Sequence, residues 1–109
     1  MSTRLVYMTF PSREAALPVA RYLIEARLAA CVNLLPTMTS VYRWDGRIAE
    51  ETEVVLIAKS TEERLAALKA AVLERHPYGL PCIVAVNLDK AASHAPFIEW
   101  IERETSRAV

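Results

Sequence analysis

The sequence predicts an α+β fold, a βαββαβ sandwich with an extended β-hairpin and a C-terminal helix. Strand-like apolar runs and helix-like apolar spacings alternate along the chain in the order of a split βαβ unit. Asp45-Gly46, a strong two-residue hairpin signal, separates the second and third strands. The 109 residues are few enough for a single domain, 1–109. Right-handed crossovers would place the two main helices on one face of the sheet and leave the other face bare.

The first strand and the first helix follow from an apolar run and a capping residue. Leu5 to Phe10 is almost unbroken in its hydrophobicity, as expected of a central strand. Pro11 ends it, and Ser12 can cap the helix that follows. Pro18 lacks an amide hydrogen, so either the first turn is irregular or the regular helix begins near Pro18. The predicted apolar stripe of this helix is Leu17, Ala20, Leu23, Ile24 and Leu28.

The second and third strands form a hairpin whose tip is more polar than its base. Cys31 to Leu35 reads as a strand, Pro36 interrupts it, and extended structure resumes before Asp45-Gly46. The return strand is polar from Glu50 to Glu53 and apolar from Val54 to Ala58. The tip therefore projects beyond the core. Its aromatic pair, Tyr42 and Trp44, shares one strand face and lacks a basic surround, which predicts packing at an interface.

The second half supplies a helix, a strand and a final helix. Ser60-x-x-Glu63 has the form of a capping box, and His76-Pro77 ends the helix. Cys82 to Leu88 reads as the last strand, and Pro96 suits the first turn of a terminal helix. The predicted apolar stripes are Leu65, Leu68, Val72 and Leu73 in one helix and Phe97, Trp100 and Ile101 in the other.

The charge balance and the cysteine count limit the kinds of partner and the cellular compartment that the sequence predicts. Thirteen Lys and Arg balance 13 Asp and Glu, so no basic field favours nucleic acid or a membrane surface. No apolar run approaches the roughly 20 residues of a membrane span, and the N-terminal residues do not read as a signal peptide, which predicts a cytoplasmic protein. Cys31 and Cys82 fall on the two outer strands and lack metal or redox spacing, so no intrachain disulfide is expected. A hydrophobic content of 53% suggests that some apolar surface serves another subunit.

The segment His76-Pro77-Tyr78-Gly79-Leu80-Pro81-Cys82 is the candidate functional site. His76 could bind a metal or a small anion, or it could be a helix C-cap satisfied by the backbone. Tyr78 could place its hydroxyl in the same cleft or be a half-buried turn residue. Cys82 could be a soft metal ligand or an activated nucleophile, or it could be buried core. Because the segment from His76 to Cys82 contains no Asp or Glu to orient an imidazole and a thiol, we expect no enzymatic activity.

Four segments together resemble the CutA, or divalent-cation-tolerance, family: Arg27 to Pro36, Ser40 to Ile48, His76 to Cys82, and Phe97 to Ile101. The resemblance extends from about Leu5 to Thr105. It implies a ferredoxin-like fold, a cytoplasmic homotrimer that interlocks through the Tyr42–Ile48 hairpin and the outer strands, and a role in metal tolerance or metal binding. It attaches no firm enzymatic reaction to the chain.

The resemblance also implies a site, from which this sequence departs. Relatives commonly carry acidic residues where this chain has Gly79 and Cys82, and often a Cys where it has Met8. The remaining metal donors, Met8, His76 and Cys82, would suit Cu(I) better than a hard divalent ion. The resemblance places Lys59 near the same inter-subunit cleft. Together with His76 and Tyr78, Lys59 could hold a small anion, as related PII-type trimers do. A non-catalytic scaffold for a partner protein is a further alternative.

Overall fold

The computed structural model describes residues 2–106, which form one four-stranded antiparallel sheet and three α-helices. The strands lie in the order Cys31–Trp44, Arg47–Thr61, Thr3–Phe10 and Ile83–Asn87, so the α+β prediction is confirmed. A 3-10 turn at Glu62–Arg64 precedes the second helix. The elements are β1 (Thr3–Phe10), α1 (Arg13–Glu25), β2 (Cys31–Trp44), β3 (Arg47–Thr61), α2 (Leu65–Arg75), β4 (Ile83–Asn87) and α3 (Ala95–Glu104). No helix within residues 2–106 is long and apolar enough to cross a bilayer.

The two faces of the sheet have different cover. Val6, Met8 and Phe10 alternate along β1 and pack with α1 and α2 on what we call the helix-covered face. Their neighbours Tyr7 and Thr9 point to the opposite, open face. The core of the helix-covered face also contains Ala16, Val19, Ala20, Leu23, Leu28, Ala29, Val54, Leu56, Ala58, Leu68, Ala71 and Val72.

The open face is covered at one end by α3, so the prediction of a wholly bare face is corrected. The Thr61 and Thr105 hydroxyls lie 3.2 Å apart, which ties the end of α3 to β3. Within this helix, Ile98 and Ile101 are buried, whereas Phe97 is exposed. The rest of the face keeps apolar side chains in solvent, namely Tyr7, Leu35, Val84 and Val86.

The long hairpin carries a bulge that changes which side chains face which way. Leu35 pairs with Val55, but the next pair is Met38 with Glu53, so Pro36 and Thr37 together oppose a single residue of β3. Odd-numbered side chains of β2 face the open side before the bulge, and even-numbered ones do so after it. Tyr42 and Trp44 thereby share the side of Glu53. At the tip, Asp45 and Gly46 have φ values of 52° and 75°, the backbone of a type I′ turn, which confirms the hairpin prediction.

Helix α1 begins as the sequence predicts but tolerates its proline differently. The Ser12 hydroxyl accepts a hydrogen bond from the Ala15 amide at 3.1 Å and caps the helix. The helix then runs unbroken through Pro18, so neither predicted adjustment at this proline occurs. The buried side chains are Ala16, Val19, Ala20 and Leu23, and Ile24 is exposed, so the apolar stripe is rotated from the predicted one.

The predicted capping box at Ser60 is wrong because β3 continues through that residue to Thr61. Ser60 is fully buried, and its hydroxyl donates to the Leu28 carbonyl at 2.6 Å instead of capping a helix. Helix α2 starts after the 3-10 turn, buries Leu68 and leaves Leu73 exposed. Its end is as predicted: His76 is the C-cap, with the extended ψ of 134° that a following proline imposes.

Candidate functional site

A cleft of about 470 Å³ lies on the open side, where the loop between α2 and β4 meets the projecting part of the long hairpin. Its walls come from β1, from both hairpin strands and from the loop that the sequence singled out. The lining residues are Thr9, Tyr42, Trp44, Glu53, Pro77, Tyr78, Gly79, Leu80 and Cys82. Two of the predicted site residues, Tyr78 and Cys82, therefore share one cleft.

His76 lies behind this cleft as a satisfied structural residue. Its Nε2 atom is 2.7 Å from the Thr9 carbonyl oxygen, and its Nδ1 atom accepts from the Tyr78 amide at 3.1 Å. A carbonyl only accepts, so Nε2 must carry the proton and Nδ1 must be the acceptor. The ring also stacks on Phe10, with 4.2 Å between centroids. A metal at either nitrogen would have to displace a backbone hydrogen bond, so this geometry favours the helix-cap interpretation.

Tyr78 and Glu53 form the polar contact of the cleft. The Tyr78 hydroxyl donates to Glu53 Oε2 at 3.0 Å. Glu53 is only 7% exposed, although it belongs to the polar stretch of the hairpin. Burial and, next, the hydrogen bond and negative charge of Glu53 raise the pKa of Tyr78 to about 12. The phenol therefore remains a neutral donor to the carboxylate at neutral pH.

Cys82 is a protonated thiol at neutral pH. Burial, followed by the charge of Glu53, raises its pKa, and the hydrogen bond with the Thr9 side chain opposes this only in part. The thiol forms a hydrogen bond with the Thr9 hydroxyl. The imidazole of His76 does not serve as its base, because both ring nitrogens bond to the backbone of Thr9 and Tyr78. A thiol in this environment is a poor nucleophile, but a metal ion that displaces its proton could still bind the sulfur.

Met8 does not belong to the cleft, which corrects the predicted set of three donors. Its side chain is 0% exposed and packs in the core of the helix-covered face, whereas Cys82 lines the open side. The alternation of β1 places Met8 opposite Thr9, the residue that contacts Cys82. Within residues 2–106, no group of three or more His, Cys, Asp or Glu side chains is arranged to hold a metal ion.

Lys59 lies at the other end of the open face within one chain. Its Nζ donates to Asn33 Oδ1 at 2.8 Å and is 5.6 Å from the centroid of the Phe97 ring. Six residues separate it from Glu53, roughly 20 Å along a strand. A single subunit therefore does not bring Lys59 and Tyr78 together, and their predicted joint site stays a prediction about an assembly.

Sequence reasoning missed Glu53 and Thr9 as parts of the site. Glu53 sits in a run of polar residues that reads as solvated, and its burial depends on the loop from α2 folding back over the hairpin. Thr9 reads as part of an apolar strand. The alternation of side chains along β1 and β3 could have placed Thr9 and Glu53 on one side of the sheet. It could not show that Tyr42 and Trp44 share that side, because this depends on the bulge in β2.

Comparison with known proteins gives consistent likenesses over nearly the whole chain. Residues 4–104 match the family described as CutA1 divalent ion tolerance protein. The divalent-cation tolerance protein CutA of Thermus thermophilus is 41% identical over 101 residues, which are 93% of this chain and 96% of that protein. Protein CutA of Mus musculus is 35% identical over 104 residues, which are 95% of this chain but 58% of the longer mouse protein.

A solved structure extends the likeness to the fold. The PII-like protein CutA from Nostoc sp., in its apo form, superposes with a TM-score of 0.87 at 34% identity, over 94% of this chain and 97% of that one. The order of strands and helices is thus shared with a protein of known structure, in addition to the sequence motifs.

Proposed function

Because the chain belongs to the CutA1 divalent ion tolerance protein family, we propose that it is a non-enzymatic, homotrimeric tolerance protein that binds a metal cation in the cleft of Glu53, Tyr78 and Cys82. Copper is the cation that this donor set suits best. The proposal has three parts, which are the sign of the ligand's charge, the number of donors and the assembly.

The buried carboxylate of Glu53 carries the proposal. Within residues 2–106 it accepts a hydrogen bond from the Tyr78 hydroxyl and forms no salt bridge, so a neutral donor leaves its negative charge without a compensating cation. The nine lining residues of the cleft include no Lys or Arg. A cleft with one buried negative charge and aromatic walls favours a cation over an anion. The small-anion alternative therefore loses support at this position, although Lys59 keeps it open at another.

The donor set of one chain is incomplete for a metal ion. The cleft offers the Cys82 thiol and the Glu53 carboxylate, two donors of which the sulfur is soft. Cu(I) accepts low coordination numbers and soft ligands better than Mg²⁺, Ca²⁺ or Mn²⁺ do. Further ligands would come from solvent or from a neighbouring subunit.

The apolar surface of the hairpin supports the trimer. Trp44 is 57% exposed, and Val41, Tyr42 and Ile48 are exposed beside it, beyond the part of β3 that pairs with β1. Together with the open-face residues Tyr7, Leu35, Val84 and Val86, they leave many large apolar side chains in solvent, which is typical of an interaction surface. Packing this surface against neighbouring copies would also place other subunits beside the cleft.

The protonated Cys82 thiol supports the absence of catalysis, because nucleophilic attack requires the thiolate. We also propose a cytoplasmic location. Cys31 and Cys82 are both free thiols, which a reducing compartment preserves.

A titration of Cu(I) against a competing chelator, under anaerobic conditions, tests the cleft. Cys82→Ser and Glu53→Gln should each weaken binding by at least about tenfold, the lower range for changes around a metal. Cys31→Ser is the matched control, since its thiol lies at the other end of the open face, and it should bind as the wild type does. No loss in Cys82→Ser would place copper outside the cleft, whereas loss in Cys31→Ser as well would mean that the assembly brings Cys31 to the metal.

A further inference from the structure

Cys31 and Lys59 form a cross-strand pair at the end of the open face away from the cleft. They are directly opposite each other in the antiparallel register of β2 and β3, where facing Cβ atoms lie about 4.5–5.5 Å apart. The Lys59 Nζ atom is 3.6 Å from the Cys31 Sγ atom. An amine and a thiol are thus already in contact.

Two neighbours hold the lysine in this position. Asn33 Oδ1 accepts a hydrogen bond from Nζ at 2.8 Å, and the Phe97 ring of α3 faces the same atom. Cys31 and Lys59 are both partly exposed, so a small oxidant can reach the sulfur. The lysine side chain is flexible enough for Nζ to close the remaining gap.

We propose that Cys31 and Lys59 form a reversible sulfenamide cross-link when the protein meets hydrogen peroxide. Peroxide first transfers one oxygen atom to the Cys31 sulfur. The O–O bond breaks, water leaves, and the thiol becomes a sulfenic acid, with two electrons passing from sulfur to peroxide. Lys59, after giving one proton to solvent, then attacks this sulfur with its nitrogen lone pair.

The S–O bond breaks in that second step, and the hydroxyl leaves as a second water that takes up a proton from the nitrogen. The sum is one thiol, one amine and one peroxide giving one S–N bond and two waters. Sulfenic acids condense with a neighbouring nitrogen in this way when the nitrogen is held close. The link would keep the sulfur from irreversible oxidation, and a thiol reductant would restore both side chains.

Cys82 provides an internal control. It is also a partly buried free thiol, but its hydrogen-bond partner is the Thr9 hydroxyl, and burial raises its pKa. Neither the Thr9 hydroxyl nor the raised pKa offers this sulfur an amine to react with. Peroxide should therefore leave Cys82 unmodified or oxidise it without forming a link to lysine.

The experiment treats the intact, assembled protein with a small excess of hydrogen peroxide and maps peptides by mass spectrometry without reduction. The expected product is a Cys31–Lys59 peptide pair that lacks two hydrogens and disappears after a thiol reductant. In Lys59→Arg, which keeps the positive charge, the pair should vanish, and dimedone labelling of Cys31 should rise several-fold because the sulfenic acid persists. Circular dichroism would confirm that this variant is folded.

Several results would overturn the proposal. One is an unmodified Cys31 under conditions that oxidise Cys82. Another is progression of Cys31 to sulfinic and sulfonic acid at the same rate in the wild type and in Lys59→Arg, with no linked peptide. A link that retains the peroxide oxygen would refute the condensation step.

Discussion

Replacing His76 by alanine tests whether its imidazole stabilises the fold or serves as a ligand. The variant loses hydrogen bonds to the Thr9 carbonyl and the Tyr78 amide, each worth about 0.5–1.5 kcal/mol. It also loses the stacking on Phe10, about 0.5–1.5 kcal/mol beyond area burial. We expect the free energy of unfolding to fall by about 1.5–4.5 kcal/mol, the sum of these three ranges.

Urea unfolding at one fixed protein concentration measures this change, because the stability of an oligomer depends on concentration. His94→Ala is the matched control. His94 is exposed at the N-cap of α3 and makes no side-chain capping bond, so its loss should change stability by less than about 0.5 kcal/mol. If His76→Ala were as stable as His94→Ala while copper affinity collapsed, the imidazole would be a ligand and the structural argument would fail.

Three other predictions follow from the cleft and the hairpin. Trp44→Ala should lower the stability of the proposed trimer by several kcal/mol per interface, which light scattering at micromolar concentration would detect as smaller particles. An unchanged mass would mean that the side chain packs on no neighbouring subunit. Burial raises the pKa of Tyr78 to about 12 in the folded protein, above its unfolded value, so its stabilising contribution is complete below pH 10 and declines towards pH 12. Urea titrations across this pH range should show the decline in the wild type and not in Tyr78→Phe. Cys82 should react slowly with iodoacetamide at neutral pH and faster when Glu53→Gln removes the nearby charge, and fast alkylation of the wild type would reopen catalysis.

The elements that sequence reasoning predicted well are those fixed by local chemistry. Ser12 caps α1, Pro77 ends α2 through His76, and Asp45-Gly46 turns the hairpin, each through the backbone of a few adjacent residues. These preferences act before any tertiary contact forms. The strand order then follows from the alternation of elements, which leaves few topologies.

The errors arose where a distant contact decides the outcome. Ser60 matches a capping box, but the pairing of β3 with β1 extends through it, and its hydroxyl finds the Leu28 carbonyl 32 residues away. Pro18 is accommodated inside α1, although the helix loses one backbone bond there. Met8 was grouped with Cys82 by family position, yet strand parity sends their side chains to opposite sides of the sheet. Local pattern carries no information about such partners.

The candidate site was predicted in part for the same reason. The loop from His76 to Cys82 was identified from its composition, and Tyr78 and Cys82 do line a cleft. Glu53, the residue that determines the charge of the cleft, lies on another element in a polar run. Its burial could be known only after the hairpin and the loop were placed together.

The bulge at Pro36 and Thr37 absorbs one extra residue of β2 before the hairpin projects beyond the sheet. Deleting either residue would remove the bulge but leave Met38 opposite Glu53, so Tyr42 and Trp44 would stay on the side of Glu53. Inserting two residues into each strand between Met38 and the turn would lengthen the arm and keep both aromatic side chains on that side, whereas one residue in each strand would turn them away. Sequences with this architecture should therefore vary in hairpin length by even steps between the bulge and the turn, while the bulge itself can be gained or lost without moving the aromatic pair.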